Sequence, residues 1–527
     1  MKKPLLIILL LFVAAGFLTL PRIALQNDDA SGYAVTVRNT VVFNQWLTPM
    51  LTQGNPNGLV DKPPLGIWLL AWAPKLFGVG ELTVHIPNVC YFALILLVLY
   101  LALARFSSQE TALSATLIAA TSLCLVVYSR APKLEVPLTL TLLLTHFALY
   151  GYLKEEKPGY VYGLTGAAAA GFLIKSGLGV LPVVLTALAA AVFLPQAREK
   201  LWRLIFSWRA PLCLVIFLAL TGGVLGAQAL VMKAEWPLYL QSILMKSPYN
   251  PGYLGLGFHP SIVGLLLIAI FPWTPLFLTG LKVERQLSPR TFAALWFLAN
   301  FLFLLFCYKF TDLRTFTALV PPLAILAGVK LQELAETGTG WRRPLALLLW
   351  QLFFLLIFSL ALIALLIKPY NGEGISLAAA VAPAALFVAA LFCLSLYFWS
   401  PGRAKLTFSF GLICLAYAAL FYNTRPLVES FNPQVGWPKL IAAERSAGVK
   451  FIIYRPTDRV RFMSPDLFYT DFMAGPADRY CWDGKQLKRE LSRGKALVLS
   501  DSASYDKLGL KRGKLIARDG YASLVRF

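Results

Sequence analysis

Apolar runs recur along the chain from Leu5 to Tyr422, separated by short polar breaks. Most are near 18–20 residues, with extremes of 14 (316–329) and 24 (344–367), and wound as an α-helix a run of about 20 crosses a hydrocarbon layer of about 30 Å with its backbone groups bonded internally. The pattern predicts 13 spans, near 4–20, 86–104, 111–128, 134–152, 160–174, 177–194, 211–231, 261–281, 291–307, 316–329, 344–367, 376–399 and 405–422. Beyond Tyr422 the period changes. Lys450-Phe-Ile-Ile-Tyr454 and Ala496-Leu-Val-Leu-Ser500 read as strands and 485–492 as a helix, which predicts a small α/β domain over 423–527. The expected fold class is a polytopic α-helical membrane protein, residues 1–422, carrying this C-terminal domain.

Two stretches between spans are too long for simple loops, 21–85 and 232–260. Within the first, 33–50 (Tyr33, Val37, Val41, Trp46) and 63–77 (Leu65, Trp68, Leu69, Trp72) carry enough apolar and aromatic residues to predict amphipathic helices lying in the membrane interface. Charge sets the orientation. Lys2, Lys3, Arg105, Lys154, Arg198, Lys282 and Arg342 are among the many basic residues of the short loops on the Met1 side. The opposite short loops hold only Arg130, Lys133, Lys175, Lys309, Arg314 and Lys368, so the N-terminus is expected in the cytoplasm and the long loops and tail outside. The opening run after Lys3 is expected to be a retained signal anchor, because no small-x-small cleavage site follows it.

Composition agrees with the pattern. Of 527 residues 58% are hydrophobic and 14% charged, against about 25% charged in a soluble domain, and mean hydropathy is +0.67. The balance of 48 basic against 26 acidic residues is dispersed rather than gathered into a stripe with interleaved aromatics, so a nucleic-acid partner is not expected. Six of the seven cysteines fall inside apolar runs, which excludes a disulfide framework or a zinc spacing.

Ionisable residues at membrane depth are costly and point to function. Here they gather at the outer edge: Asp28 and Asp29, Asp61-Lys62 before Pro63-Pro64, Arg130, Lys133 and Glu135, Lys175, His259, and Lys309, Asp312 and Arg314. A few carboxylates among several cations suit a lipid phosphate while leaving a base for the group being transferred. His85 and His146 read as structural.

Asn27-Asp28-Asp29-Ala30-Ser31-Gly32-Tyr33-Ala34, Trp46-Leu-Thr-Pro49, Asp61-Lys62-Pro63-Pro64-Leu65-Gly66-Ile67-Trp68, Lys75-Leu-Phe-Gly78, Tyr128-Ser-Arg130 with Glu135, and Gly171-Phe-Leu-Ile-Lys175-Ser-Gly177 with Leu181-Pro182 follow in order. Together they resemble the C-type (GT-C) polyprenyl-phosphate-dependent glycosyltransferases, a group including protein O-mannosyltransferases and the lipid A aminoarabinose transferases. The first-loop spacing is most similar to the latter. The resemblance is good over the first third of the chain and weaker beyond.

The resemblance implies a GT-C fold in a bacterial inner membrane and an inverting transfer of sugar from a polyprenyl-phosphate carrier to lipid A or another envelope acceptor. The candidate sugar is 4-amino-4-deoxy-L-arabinose. It further implies Asp29 and Glu135 as catalytic carboxylates, with Asp28 and Tyr33 in support, and Lys62, Arg130 and Lys175 on the donor phosphate. If the acceptor is a hydroxyl, Asp29 takes or orients its proton; if a phosphate, Asp29 positions groups or balances charge. Glu135 either orients Arg130 or contacts the acceptor. Asp61 and His259 stand where related enzymes can hold a metal; a divalent cation is compatible but not required, and no other cofactor is expected. Three positions depart from the family pattern: Ala30 in place of a second acid, Gly32 in place of an arginine, and Phe316 in place of a tyrosine. A protein O-mannosyltransferase is the alternative within the class. A lipid-linked-sugar flippase is the alternative outside it, disfavoured by the charges lying at the membrane edge and by the absence of internal repeats.

Overall fold

The computed structural model describes residues 2–23, 25, 29–51, 62–243, 257–308, 312–336, 410–411, 414, 434–454, 468–481, 483–507, 513–518 and 522–527. The chain opens with α1 (Lys2–Leu18), α2 (Asp29–Val42) and α3 (Leu65–Phe77), followed by α4 (Glu81–Phe106), α5 (Gln109–Ala120), α6 (Leu123–Ser129), α7 (Glu135–Glu155) and α8 (Pro158–Lys175). Then come α9 (Leu181–Phe193), α10 (Pro195–Ile205), α11 (Arg209–Met232), α12 (Trp236–Ile243), α13 (Ser261–Ala269), α14 (Thr274–Gly280), α15 (Pro289–Cys307) and α16 (Val320–Glu336). Among the described residues six helical segments are long and apolar enough to cross a membrane, at 81–106, 135–155, 158–179, 209–235, 289–307 and 313–334. The expected spans 344–367 and 376–399, and nearly all of 405–422, lie outside the described residues.

Two predicted spans are broken. The 111–128 run bends by 61° between α5 and α6, and the 261–281 run by 106° between α13 and α14. Each break frees backbone groups that would be costly in an apolar interior, and the two breaks satisfy one another. Leu123 N–H donates to Phe271 O at 3.0 Å, and the Trp273 indole N–H donates to Thr121 Oγ1 at 2.9 Å. Pro272, which has no N–H to offer, occupies the second break. The expected span 177–194 is also shortened, to a 3-10 turn over Ser176–Gly179 and the 13-residue α9.

The expectation of interfacial helices needs correction for α2. A helix lying in the interface keeps one face in water, whereas Ala30, Ser31, Gly32 and every residue from Ala34 to Thr40 are buried. α2 packs with α3 and with the helix Phe468–Ala474 of the tail in one apolar cluster that joins Val35, Ile67, Leu70, Leu134 and Leu138 to Tyr469 and Phe472. The polar Arg38 is tolerated inside because the tail supplies its partner. Arg38 Nη2 lies 3.0 Å from Asp471 Oδ1, with the side chains 2% and 0% exposed, and Nη1 donates to the Asp471 carbonyl. α3 is nearer to expectation, with Leu76 and Phe77 exposed.

The tail holds a five-stranded sheet of order β2-β1-β3-β5-β4, from β1 (Lys450–Tyr454), β2 (Arg479–Cys481), β3 (Ala496–Asp501), β4 (Lys514–Arg518) and β5 (Ala522–Arg526). β1 lies parallel to β2 and β3, and the two last strands are antiparallel. The runs read as strands from sequence are β1 and the body of β3; their unbroken apolar character fits strands covered on both faces.

Candidate functional site

A cavity opens where α2, α7, α8, α15 and the 3-10 turn Leu313–Leu319 meet. One part of its wall is polar, formed by Asp29, Tyr33, Lys62, Glu135, Lys175, Ser176, Tyr308, Arg314 and Thr315; the rest is apolar but for Asn300, and includes Leu138, Leu142, Leu178, Ile243, Trp296, Phe303 and Leu304. The cavity volume is ≈ 130 Å³, several times the roughly 10–15 Å³ that one water needs.

Local sequence explains how each charge arrives. Asp29 is the first residue of α2, where a carboxylate complements the helix dipole. Its Oδ2 pairs with Arg314 Nη1. Arg314 is held from the other side by Asp312 Oδ2, 2.9 Å from Nε, and Asp312 Oδ1 accepts from the Tyr128 hydroxyl at 3.2 Å. Lys133 Nζ sits 5.3 Å from the centre of the Tyr128 ring. Five side chains from three segments thus form one string of alternating charge and hydrogen bonds ending at Asp29.

Lys62 precedes Pro63 and Pro64, which fix the backbone entering α3. Its carbonyl accepts from the Tyr239 hydroxyl at 2.9 Å, and Gln228, whose amide also reaches Leu47 O at 2.7 Å, supports that hydroxyl. Lys175 ends α8 and its ammonium is 2.8 Å from Glu135 Oε1 in the first turn of α7. The side chains are only 16% and 5% exposed, so neither charge is left alone in an apolar surround.

The turn after Lys175 is unusual. Ser176 has φ +50 and ψ −132, a conformation that costs a side chain about 1–3 kcal/mol. Gly171 and Gly179 make the reversal feasible: a Cβ on Gly179 would overlap the Gly171 carbonyl. The chain therefore folds back against α8 within four residues, bringing Lys175 and Ser176 to the cavity wall.

The structure gathers Asp29, Tyr33, Lys62, Glu135 and Lys175 around one cavity, as the sequence reading requires. Arg130 is not among the residues that line it, which corrects the expectation of a phosphate contact. Its guanidinium donates to Gly16 O at 3.0 Å and Thr19 O at 3.3 Å, the carbonyls at the end of α1, which need partners in any helix. Burial lowers this guanidinium to about 10, so it keeps its charge at neutral pH. The reading of Glu135 as the group orienting Arg130 gives way to its pairing with Lys175. His85 Nδ1 contacts the Arg130 carbonyl at 2.8 Å and His146 stacks on Trp296 with ring centres 3.9 Å apart, both structural roles. His259 is anchored through its backbone N–H to Leu305 O. Asp28 and Asp61 lie outside the described residues, so a metal pairing of Asp61 with His259 rests on sequence alone; among the described residues no three His, Cys, Asp or Glu side chains converge.

Arg314, Asp312, Tyr128 and Tyr239 are the additions. Arg314 is legible in sequence only as one charge at the rim, with nothing to rank it above Lys309. Tyr239 gives no sequence signal, since its contribution is one hydrogen bond to a backbone 177 residues away.

Residues 61–221 match the family model described as Dolichyl-phosphate-mannose-protein mannosyltransferase. A curated Undecaprenyl phosphate-alpha-4-amino-4-deoxy-L-arabinose arabinosyl transferase of Pectobacterium atrosepticum is 26% identical over 352 residues, 62% of this chain and 59% of that protein. An uncharacterised protein of Aquifex aeolicus is 28% identical over 184 residues, 34% and 36% of the two chains. The chain thus aligns with less than two thirds of the length of these curated relatives. Two crystal structures of ArnT from Cupriavidus metallidurans share the fold. The form bound to undecaprenyl phosphate gives a TM-score of 0.74 at 18% identity over 99% of this chain and 97% of that one. The apo form gives 0.72 at 19% identity over 98% and 97%. The chain is a multi-pass helical membrane protein with the GT-C fold of ArnT, and the family resemblance read from residues 27–182 is matched by the family model over most of that stretch.

Proposed function

We propose that this protein is an integral-membrane glycosyltransferase that moves a sugar from a polyprenyl-phosphate carrier to an acceptor on the periplasmic face of a bacterial inner membrane. One observation carries the reading: a single cavity joins a cation-bearing rim to an apolar wall, the division an isoprenoid phosphate presents. Each buried CH₂ of such a chain contributes about 0.8 kcal/mol. The relative of Pectobacterium is named for an undecaprenyl-phosphate donor, and one ArnT structure holds undecaprenyl phosphate; both support the carrier. 4-Amino-4-deoxy-L-arabinose and lipid A are the sugar and acceptor we favour.

The ion pairs give the reaction its order. Arg314 and Lys62 face the cavity and attract the donor phosphate. As that anion takes a share of Arg314, the hold on Asp29 loosens and its carboxylate turns to the incoming nucleophile. The acceptor oxygen bonds to the anomeric carbon from the face opposite the phosphate, and the bond from that carbon to the phosphate oxygen breaks with its electron pair. Configuration inverts, and the cations hold the departing polyprenyl phosphate. The proton of a hydroxyl acceptor passes to Asp29; a phosphate acceptor brings none.

The test is transfer in purified protein and mass spectrometry of lipid A and exported proteins from cells with and without the gene. Asp29→Asn should abolish transfer while the protein still inserts, and transfer should persist in chelator. A mass change confined to lipid A supports the favoured acceptor; one confined to Ser and Thr of exported proteins replaces it with a mannosyltransferase reading. Full activity of the Asp29 variant would remove the proposed base.

A further inference from the structure

Two polar atoms belonging to cavity-lining residues have no hydrogen-bond partner among the described residues, Glu135 Oε2 and Ser176 Oγ. Both residues are 4% exposed, so bulk water does not take the place of a partner, and a buried polar atom left unbonded is costly.

Ser176 is the more informative of the two. Its backbone conformation is one that glycine adopts readily and serine does not, so the side chain costs the fold something. The hydroxyl returns no bond among the described residues. A serine that strains its backbone and satisfies nothing around it there is accounted for by a bound ligand.

The chemistry of that partner follows from its neighbour. Glu135 Oε1 is occupied by Lys175 at 2.8 Å, while Oε2, an acceptor only, needs a donor. A phosphate oxygen has no proton to give and meets repulsion from a carboxylate. A hydroxyl or an ammonium donates to Oε2, and a hydroxyl beside it can exchange either role with Ser176. We infer that Glu135 Oε2 and Ser176 Oγ form a subsite for hydroxyl or amino substituents of the transferred sugar, distinct from the cations that hold the carrier phosphate. This rests on the glycosyltransferase reading and assigns the residues that read its sugar.

The experiment compares two probes on the full-length protein in detergent: undecaprenyl phosphate without a sugar, and the same carrier bearing glucose, mannose or 4-amino-4-deoxy-L-arabinose. In Ser176→Gly the unfolding temperature should hold or rise, the bare carrier should bind as in the wild type, and the Kd for the sugar-bearing carrier that the wild type prefers should rise about tenfold, the worth of one hydrogen bond. Ser176→Ala, which keeps the strain and loses the hydroxyl, should match it. Unchanged binding of the sugar-bearing carrier by either variant overturns the inference; weakening confined to Ser176→Gly would trace to the relaxed backbone rather than to the lost hydroxyl. Equal weakening toward the bare carrier also overturns it, because Ser176 would then contact the phosphate. A wild-type protein that binds neither carrier removes the glycosyltransferase reading and the subsite with it, an outcome distinct from the others.

Discussion

Several charged side chains around the cavity are held in pairs, and the consequence of removing one depends on what its partner is left facing. Glu135→Leu strands the Lys175 ammonium at 16% exposure and should cost about 3 kcal/mol, seen as a fall in unfolding temperature. Adding Lys175→Met should recover most of that loss, because two apolar groups need no mutual compensation, while transfer stays lost. A stable and active double variant would show the pair to be scaffolding. Lys62→Ala should instead raise donor KM, and the backbone carbonyl that accepts from Tyr239 is one that alanine retains. In the tail, burial pushes the Cys481 thiol up to about 11 from a reference of 9.0. A thiol whose folded pKa is raised contributes stability that is present below about pH 9 and lost as pH climbs through about 11. Iodoacetamide should therefore leave Cys481 unlabelled at pH 8 in the folded protein and label it in denaturant. At this scale the sequence showed which residue types mattered but not how they pair: the Asp29, Lys62, Glu135 and Lys175 motifs are legible as charges at a membrane edge, whereas Arg130 looks the same in sequence and points to α1.

Elements were legible where length and apolarity alone decide them. α4, α7, α8, α11 and α15 each lie close to a predicted span. Sequence reasoning falls short where a helix stops for a tertiary reason. The breaks at Thr121 and Phe271 are stabilised by each other, a relation between residues some 150 positions apart that no local window contains. The boundary after residue 174 was legible, but the 3-10 turn over Ser176–Gly179 that follows it was not, being set by the contact of two glycines. Gly179→Ala should disrupt that crossing at a cost of about 3 kcal/mol and displace Lys175, lowering both the unfolding temperature and donor binding. Gly177→Ala, with open space where a Cβ would sit, serves as the control and should do neither.

Across the whole molecule, the tail is a structural neighbour of the cavity and not an appended module. Its helix Phe468–Ala474 buries Tyr469 and Phe472 against the helix that begins at Asp29. Sequence predicted the sheet from its apolar strands but was silent on this docking, because Arg38 and Asp471 each look like ordinary surface residues until they meet. Asp471→Ala should leave Arg38 buried without its counter-charge, cost about 3–5 kcal/mol, and make the tail more susceptible to limited proteolysis. Arg38→Met with Asp471→Leu should restore resistance.

That pairing also imposes a schedule on biogenesis. Arg38 leaves the ribosome 433 residues before Asp471, an interval of about 20–90 s at ordinary synthesis rates of roughly 5–20 residues per second. Throughout that time the first loop carries an arginine whose final surroundings are dry but whose counter-ion has not been made. The end of the molecule that lines the cavity is therefore the first region translated and among the last to settle, and on the proposed function newly inserted chains should acquire donor affinity only once their final segment has emerged.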